Sequence, residues 1–227
     1  MLQYLIYMAI LLLIPLWAQM RVKSTYSRFA QVSNSTGLTG ARTARKILDE
    51  NGLYDVTVRE VQGTLTDHYD PRDKSVNLSS DIYHSATISG TAVAAHEVGH
   101  AIQDANDYTF MRVRSALVPV ANLGSNLSYF LIIAGFLFGA MQLATLGVIF
   151  FAAAVLFQLV TLPVEFDASG RALKQVVSLG IIQEDERRGA KKVLSAAAMT
   201  YVAAALVSAM ELIRFILMIF LANNREN

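Results

Sequence analysis

Two histidines and a glutamate define the chemistry open to this chain. They stand at His96, Glu97 and His100, in the run Thr87-Ile-Ser-Gly-Thr-Ala-Val-Ala-Ala-His-Glu-Val-Gly-His-Ala-Ile-Gln. Side chains four apart on a helix lie one above the other on a single face, so both imidazoles can meet one metal ion. Glu97 then sits one step around the helix, placed to take a proton from an attacking water. Two histidine ligands and one carboxylate base at H-E-x-x-H spacing are the arrangement of zinc metallopeptidases. The flanking Ala92, Val93, Ala94, Ala95 and Val98 are apolar, which argues against a solvated histidine pair on a polar helix face. Zn2+ is therefore the expected cofactor and Glu97 the expected catalytic residue.

A zinc site of this type takes three protein ligands and leaves the fourth position open. Asp104 shares the histidine face, but it lies roughly 12 Å from His96 along a helix rising about 1.5 Å per residue. The metzincin pattern needs a Gly and then a His downstream, where this chain has Gln103 and Asn106. With no cysteine there is neither a thiolate ligand nor a disulfide framework. A distant carboxylate is required, and Leu162-Pro-Val-Glu165-Phe-Asp-Ala-Ser-Gly-Arg171 offers Glu165, with Asp167 its nearest rival. Arg171 is a candidate for holding a carboxylate or a transition-state oxyanion. His68 reads either as loop-edge polarity or as a substrate or oxyanion contact. Gly99, inside the metal helix, costs about 1 kcal/mol against Ala and points to close approach by a neighbouring element.

Composition indicates which elements must position these groups. The chain has 227 residues, 54% of them hydrophobic, and a mean hydropathy of +0.40. Soluble domains are about 45–50% apolar. The excess is concentrated in four stretches, Leu2 to Met20, Ala116 to Ala140, Leu143 to Pro163 and Ser195 to Ala222, and a membrane span needs about 20 such residues. No basic residue precedes the first stretch and no small-x-small cleavage site lies near Trp17-Ala18-Gln19, so it reads as a retained anchor.

Basic residues set the expected orientation. Arg21, Lys23, Arg28, Arg42, Arg45 and Lys46 follow the first span, Arg112 and Arg114 precede the second, and Arg171, Lys174, Arg187, Arg188, Lys191 and Lys192 separate the third from the fourth. The other side has an uncharged start, the Met141-Gln142 step and Arg225 in the tail. The positive-inside rule puts both polar segments in the cytoplasm, giving a multi-pass cell-membrane protein with its active site on that side. A net charge of +1 does not indicate a nucleic-acid partner. Inside the fourth span, Glu211 has Arg214 one turn on as its partner.

Within the first polar segment, Thr39 to Asn51 reads as a helix, N-capped by Thr39 and stopped by Gly52. β-like runs follow at Asp55–Val61, Gly63–Asp67 and Lys74–Ser79, with a turn at Tyr69–Asp73. The metal helix spans about Ser85–Asp107. His84 reads as a surface or helix-start residue. The expected fold is α+β: a predominantly helical membrane protein with about four transmembrane helices and a cytoplasmic zincin-like domain carrying a small sheet. Its parts are an anchor (1–20), the zincin-like domain (21–115), a transmembrane hairpin (116–163), a membrane-proximal segment with the third ligand (164–194) and a last span with tail (195–227).

Three segments together carry a resemblance. His96-Glu-Val-Gly-His-Ala-Ile-Gln, Leu65-Thr-Asp-His-Tyr-Asp-Pro-Arg and Glu165-Phe-Asp-Ala-Ser resemble the YugP family of bacterial membrane zinc peptidases over nearly the whole chain. The Glu165 segment is also similar to the Glu-Phe-x-Ala-Asp motif of HtpX-type membrane proteases, whose glutamate is the third zinc ligand. That resemblance favours Glu165 over Asp167. Ser169 stands where the motif has its aspartate, leaving Asp167 as the acid at hand to support the site from outside the ligand set. The resemblance implies a zinc endopeptidase but names no substrate; because Glu165 directly follows the third span, the metal is expected beside the lipid bilayer, with peptides or membrane proteins as the expected substrates.

Two other classes remain to be separated from it. A zinc-binding scaffold or adaptor with a zincin fold would need no base, and Glu97 argues against it. A channel or transporter would need polar residues lining a pathway, and beyond Asn122, Ser125, Asn126, Ser128 and Glu211 the spans have few.

Overall fold

The computed structural model describes residues 1–226. The side chain of Arg225 and the terminal Asn227 lie outside the described residues. The chain folds as α1 (Leu2–Phe29), α2 (Gly40–Glu50), β1 (Thr57–Val61), β2 (His68–Asp70), β3 (Ser75–Ser79), α3 (Ser80–His84), α4 (Ile88–Ala105), α5 (Thr109–Leu137), α6 (Met141–Ser178) and α7 (Glu184–Glu226). It is an α+β protein, mostly helical with one small sheet. Helices α1, α5, α6 and α7 are each long and apolar enough to cross a membrane.

Two compact units form. One gathers Met1–Pro15, Thr109–Pro163 and the chain from Tyr201. Its core is Ile132, Val148, Phe151, Val155 and Phe215, with Tyr129, Phe151 and Phe215 stacked edge to face at centroid distances of 5.4–5.7 Å. The expected Glu211–Arg214 pair forms at 2.6 Å, and the Tyr7 hydroxyl donates to the other carboxylate oxygen at 2.6 Å. A buried carboxylate needs such partners in an apolar environment.

The other unit comprises Leu16–Tyr108 and Val164–Thr200. Its core joins Ile47 and Leu48 of α2, Val76 and Leu78 of β3, and Ala94, Val98 and Ala101 of α4 to Ala172 and Val176 of α6 and Val193 of α7. Helix α2 starts where the Thr39 side chain accepts from the Arg42 N–H, relieving one of the unpaired donors of the first turn. Thr87 caps α4 in the same way, accepting from Gly90. The sheet has the order β1-β3-β2, with β1 parallel and β2 antiparallel to the central strand. β3 is buried throughout, as a central strand covered on both faces must be.

Four expectations need correction. The run Gly63–Asp67 is loop, because Gly63 and Leu65 take φ of 106° and 57°, incompatible with a strand. The strand is instead His68–Asp70, where the sequence points to loop and turn. The turn between α5 and α6 falls at residues 138–140, where Gly139 takes φ 67°, rather than at Met141-Gln142. Helices also outrun the apolar stretches. α1 continues nine residues past Met20, α6 runs through Pro163 to Ser178, and α7 begins at Glu184. Segment 164–194 is therefore chiefly the polar ends of two long helices.

Candidate metal centre

Helix α4 carries His96, Gly99, His100 and Gln103 at i, i+3, i+4 and i+7, one stripe facing α6. The backbones of the two helices meet at Gly99. A Cβ there would come within 2.6 Å of the Ala168 carbonyl oxygen, which accounts for a glycine in the middle of a helix. The contact brings Glu165 over the histidine pair. Its Oε2 lies 3.2 Å from His96 Nε2 and 3.7 Å from His100 Nε2, and one ligand atom from each residue falls within 4.8 Å of the others. Donors about 2.0–2.1 Å from a tetrahedral ion stand roughly 3.3 Å apart. Glu165 stands at about that spacing from both imidazoles and is 2% exposed.

Each imidazole has a polar partner at its outer ring nitrogen. Gln103 Nε2 donates to the Val164 carbonyl and to Asp167 Oδ2, both at 2.8 Å. That fixes the amide, so its Oε1 faces His100 Nδ1 at 2.9 Å. An amide oxygen only accepts, hence Nδ1 carries the proton and Nε2 presents its lone pair towards Glu165. Ser169 Oγ lies 3.2 Å from His96 Nδ1 and can accept from it in the same sense. Such outer partners orient metal-binding histidines and raise their basicity. A charge balance runs through the site as well. Burial opposes charge on both His100 and Glu165, yet the closeness of the carboxylate to the two imidazoles holds its carboxyl well below the usual carboxylate range and pushes the His100 imidazole up.

The remaining candidates fall around this centre. Glu97 is 8% exposed, and among the described residues no protein donor engages its carboxylate. Asp167 is outside the trio, held by Gln103 and by Arg171 Nε at 2.5 Å. Arg171 is thereby occupied, with its guanidinium 5.7 Å from the Tyr108 ring. His68 is exposed on β2, its Nδ1 2.8 Å from the Thr66 carbonyl, and it does not join the metal-binding group. His84 closes α3 and contacts Glu60 at 3.1 Å on the surface.

Two further groups fix the sheet beside α4. Tyr69 of β2 donates to Asp104 at 2.9 Å, and burial together with this bond pushes its phenol up. The carboxylate of Asp67 accepts from the backbone and hydroxyl of Ser79; burial outweighs those bonds and raises its pKa.

Sequence reasoning missed Gln103, noting it only as a departure from the metzincin pattern. Its signal was position: a polar residue three after His100, on the same helix face.

A profile of the family described as "Putative neutral zinc metallopeptidase" matches residues 4–220. This chain belongs to that family. A curated relative, named "Putative membrane protease YugP", from Bacillus subtilis (strain 168), is 54% identical over 211 residues, covering 93% of each chain. No solved structure gives a significant match. The family's description names zinc, and the donor set of His96, His100 and Glu165, with the His100 ring oriented by Gln103, fits that ion.

Proposed function

We propose that the protein is a membrane-embedded zinc endopeptidase that cleaves peptide bonds near the cytoplasmic surface of the membrane. The observation that carries this reading is Glu97, next to His96 on α4 and only 8% exposed as a residue, whose carboxylate meets no protein donor among the described residues. A structural metal site needs no such group; a hydrolytic one does.

His96, His100 and Glu165 would hold Zn2+, with Gln103 and Ser169 keeping the ring protons on the outer nitrogens. When bound, the ion supplies a Lewis acid that polarises the scissile carbonyl and makes water nucleophilic near neutral pH. Glu97 takes a proton from the attacking water as its oxygen bonds to the carbonyl carbon, then delivers that proton to the amine as the C–N bond breaks. The edge strand β2 can pair with an extended peptide and align its backbone beside α4. His68 and Tyr69 then flank that peptide, with Tyr69 anchored on Asp104.

The orientation rests on the basic residues after the first span and between the third and fourth. Because Glu165 follows the third apolar stretch by two residues, substrates include membrane proteins cut in their juxtamembrane segments. Zinc content and cleavage of unfolded and membrane-inserted model proteins, by wild type and by Glu97→Gln, test the reading. Both proteins should hold about one zinc, and the variant should lose 10²–10⁴-fold in rate. A variant keeping more than about a tenth of the rate removes Glu97 as the base. A wild-type protein that holds zinc and cleaves nothing would be a scaffold.

A further inference from the structure

A cleft of about 630 Å³ opens between the polar ends of α1 and α7. Its polar lining is Arg21, Ser24, Thr25 and Arg28 from α1 and Arg188, Lys191, Lys192 and Ser195 from α7, with Phe29 of α1 beside them. Each set follows i, i+3, i+4, i+7 spacing, so each helix turns one face into the cleft. Five cations and three hydroxyls converge there without a lining carboxylate. The acidic residues nearby in sequence are engaged elsewhere: Glu184 with Arg187, Asp185 with the Glu186 N–H, and Glu186 with Ser35 and the Gln183 N–H. None of the five cations forms an ion pair among the described residues.

Unpaired like charges gathered in a concave site repel one another unless an anion joins them. A phosphate suits the donor set, since guanidinium groups bind it through paired N–H donors and ammonium and hydroxyl groups complete its shell. Position narrows the source. Arg21 immediately follows the apolar stretch of α1 and stands 5.3 Å from the ring of Trp17, an aromatic of the kind enriched at headgroup level. Ser195 opens the apolar stretch of α7. Both faces therefore lie where two spans leave the hydrocarbon.

We infer that this cleft binds the phosphate of an anionic phospholipid headgroup, at a site separate from the zinc centre. Basic pockets between transmembrane helices take such headgroups, and each cation near an anionic surface contributes about a fivefold change in binding.

The test uses the full chain in a neutral detergent, titrated with short-chain phosphatidylglycerol, phosphatidylcholine or inorganic phosphate, with binding read by thermal shift and by native mass spectrometry. The cleft variant is Arg28→Gln/Arg188→Gln/Lys192→Gln. The control, Lys23→Gln/Arg42→Gln/Lys174→Gln, removes equal charge from residues that do not line the cleft. Phosphatidylglycerol should bind wild type and control with one tight site, phosphatidylcholine far more weakly, and the cleft variant should lose roughly 10²-fold in affinity. Wild-type zinc content in both variants confirms that they are folded. Equal loss in the two variants would mean diffuse surface attraction and overturn the site. Protection by inorganic phosphate at the same concentration as the lipid would overturn the lipid assignment.

Discussion

Gly99 is the point at which packing and metal binding can be separated by one methyl group. An alanine Cβ there would stand 2.6 Å from the Ala168 carbonyl oxygen, whereas ordinary contact begins at 3.4 Å. The shortfall is about 0.8 Å, and the obstacle is backbone rather than a side chain that could swing away. Relief requires α6 to move away from α4, carrying Glu165 with it. Overpacking of this kind costs typically 1–3 kcal/mol, while Gly→Ala within a helix returns about 1 kcal/mol. The net loss of stability is therefore modest, about 1 kcal/mol.

The effect on the metal should be larger than the effect on the fold. Zinc–ligand distances tolerate about 0.2 Å, a quarter of the displacement that Gly99→Ala demands at the helix contact. Zinc affinity should fall at least tenfold, at the lower end of what misplaced supporting groups cost. Gly170→Ala supplies the control. Gly170 lies on α6 beside Ser169 and Arg171, yet a Cβ there meets nothing within 4 Å, so it should gain up to about 1 kcal/mol with zinc affinity unchanged. Competition with a zinc chelator gives the dissociation constants, and thermal unfolding gives the stabilities. Wild-type zinc affinity in Gly99→Ala, or an equal loss in Gly170→Ala, would refute the argument that this contact sets the position of Glu165.

Three other outcomes are expected. Glu165→Gln should weaken zinc binding more than Asp167→Asn, because it removes a charged ligand, whereas the Asp167 change should cost about 10–100-fold through Gln103; zinc dissociation constants rank the two. Gln103→Leu keeps the volume but removes the acceptor for His100 Nδ1, and should lower zinc affinity by a similar 10–100-fold while the protein stays folded by circular dichroism. Cysteines introduced at Lys46 and Lys191 should react only with a reagent that reaches the cytoplasm, and one at Gln142 only with an outside reagent; outside labelling at Lys46 would reverse the orientation.

Much of the unit that holds the His96, His100 and Glu165 group could be read because local rules govern it. Thr39 and Gly52 bound α2 as a cap and a stop should, and Thr87 caps a metal helix whose ends fall within three residues of expectation. The long helices were less legible at their ends. Hydropathy reports how far a stretch is apolar, and a helix need not stop where apolarity does. Residues such as Arg21 to Phe29 and Glu184 to Leu194 are adequate helix formers and extend α1 and α7 into the polar unit. The strand at His68–Asp70 escaped because its pairing is set by β3, a tertiary partner, and three residues offer too short a pattern for alternation to register.

Ser169 and Asp167 show how a departure from a family motif can be resolved by geometry. Read along the sequence, Ser169 looks like a lost acid for which Asp167 must substitute. In space the two residues serve different histidines. Along α6, Glu165, Ala168, Ser169 and Ala172 form one stripe, and its members meet His96, Gly99 and His100 or the core beneath them. Asp167 is about 200° around the axis from Glu165, at 3.6 residues per turn. It sits with Val164 and Arg171 on the adjoining stripe, which meets α4 one turn further on, at Gln103. The rising order on α4, His96 to Gly99 to Gln103, pairs with a falling order on α6, Ser169 to Ala168 to Val164, so the two helices run antiparallel through the site. Glu165 reaches the Nε2 atoms of His96 and His100 because its stripe faces them. Asp167 is turned away from them and acts on His100 only through the Gln103 amide.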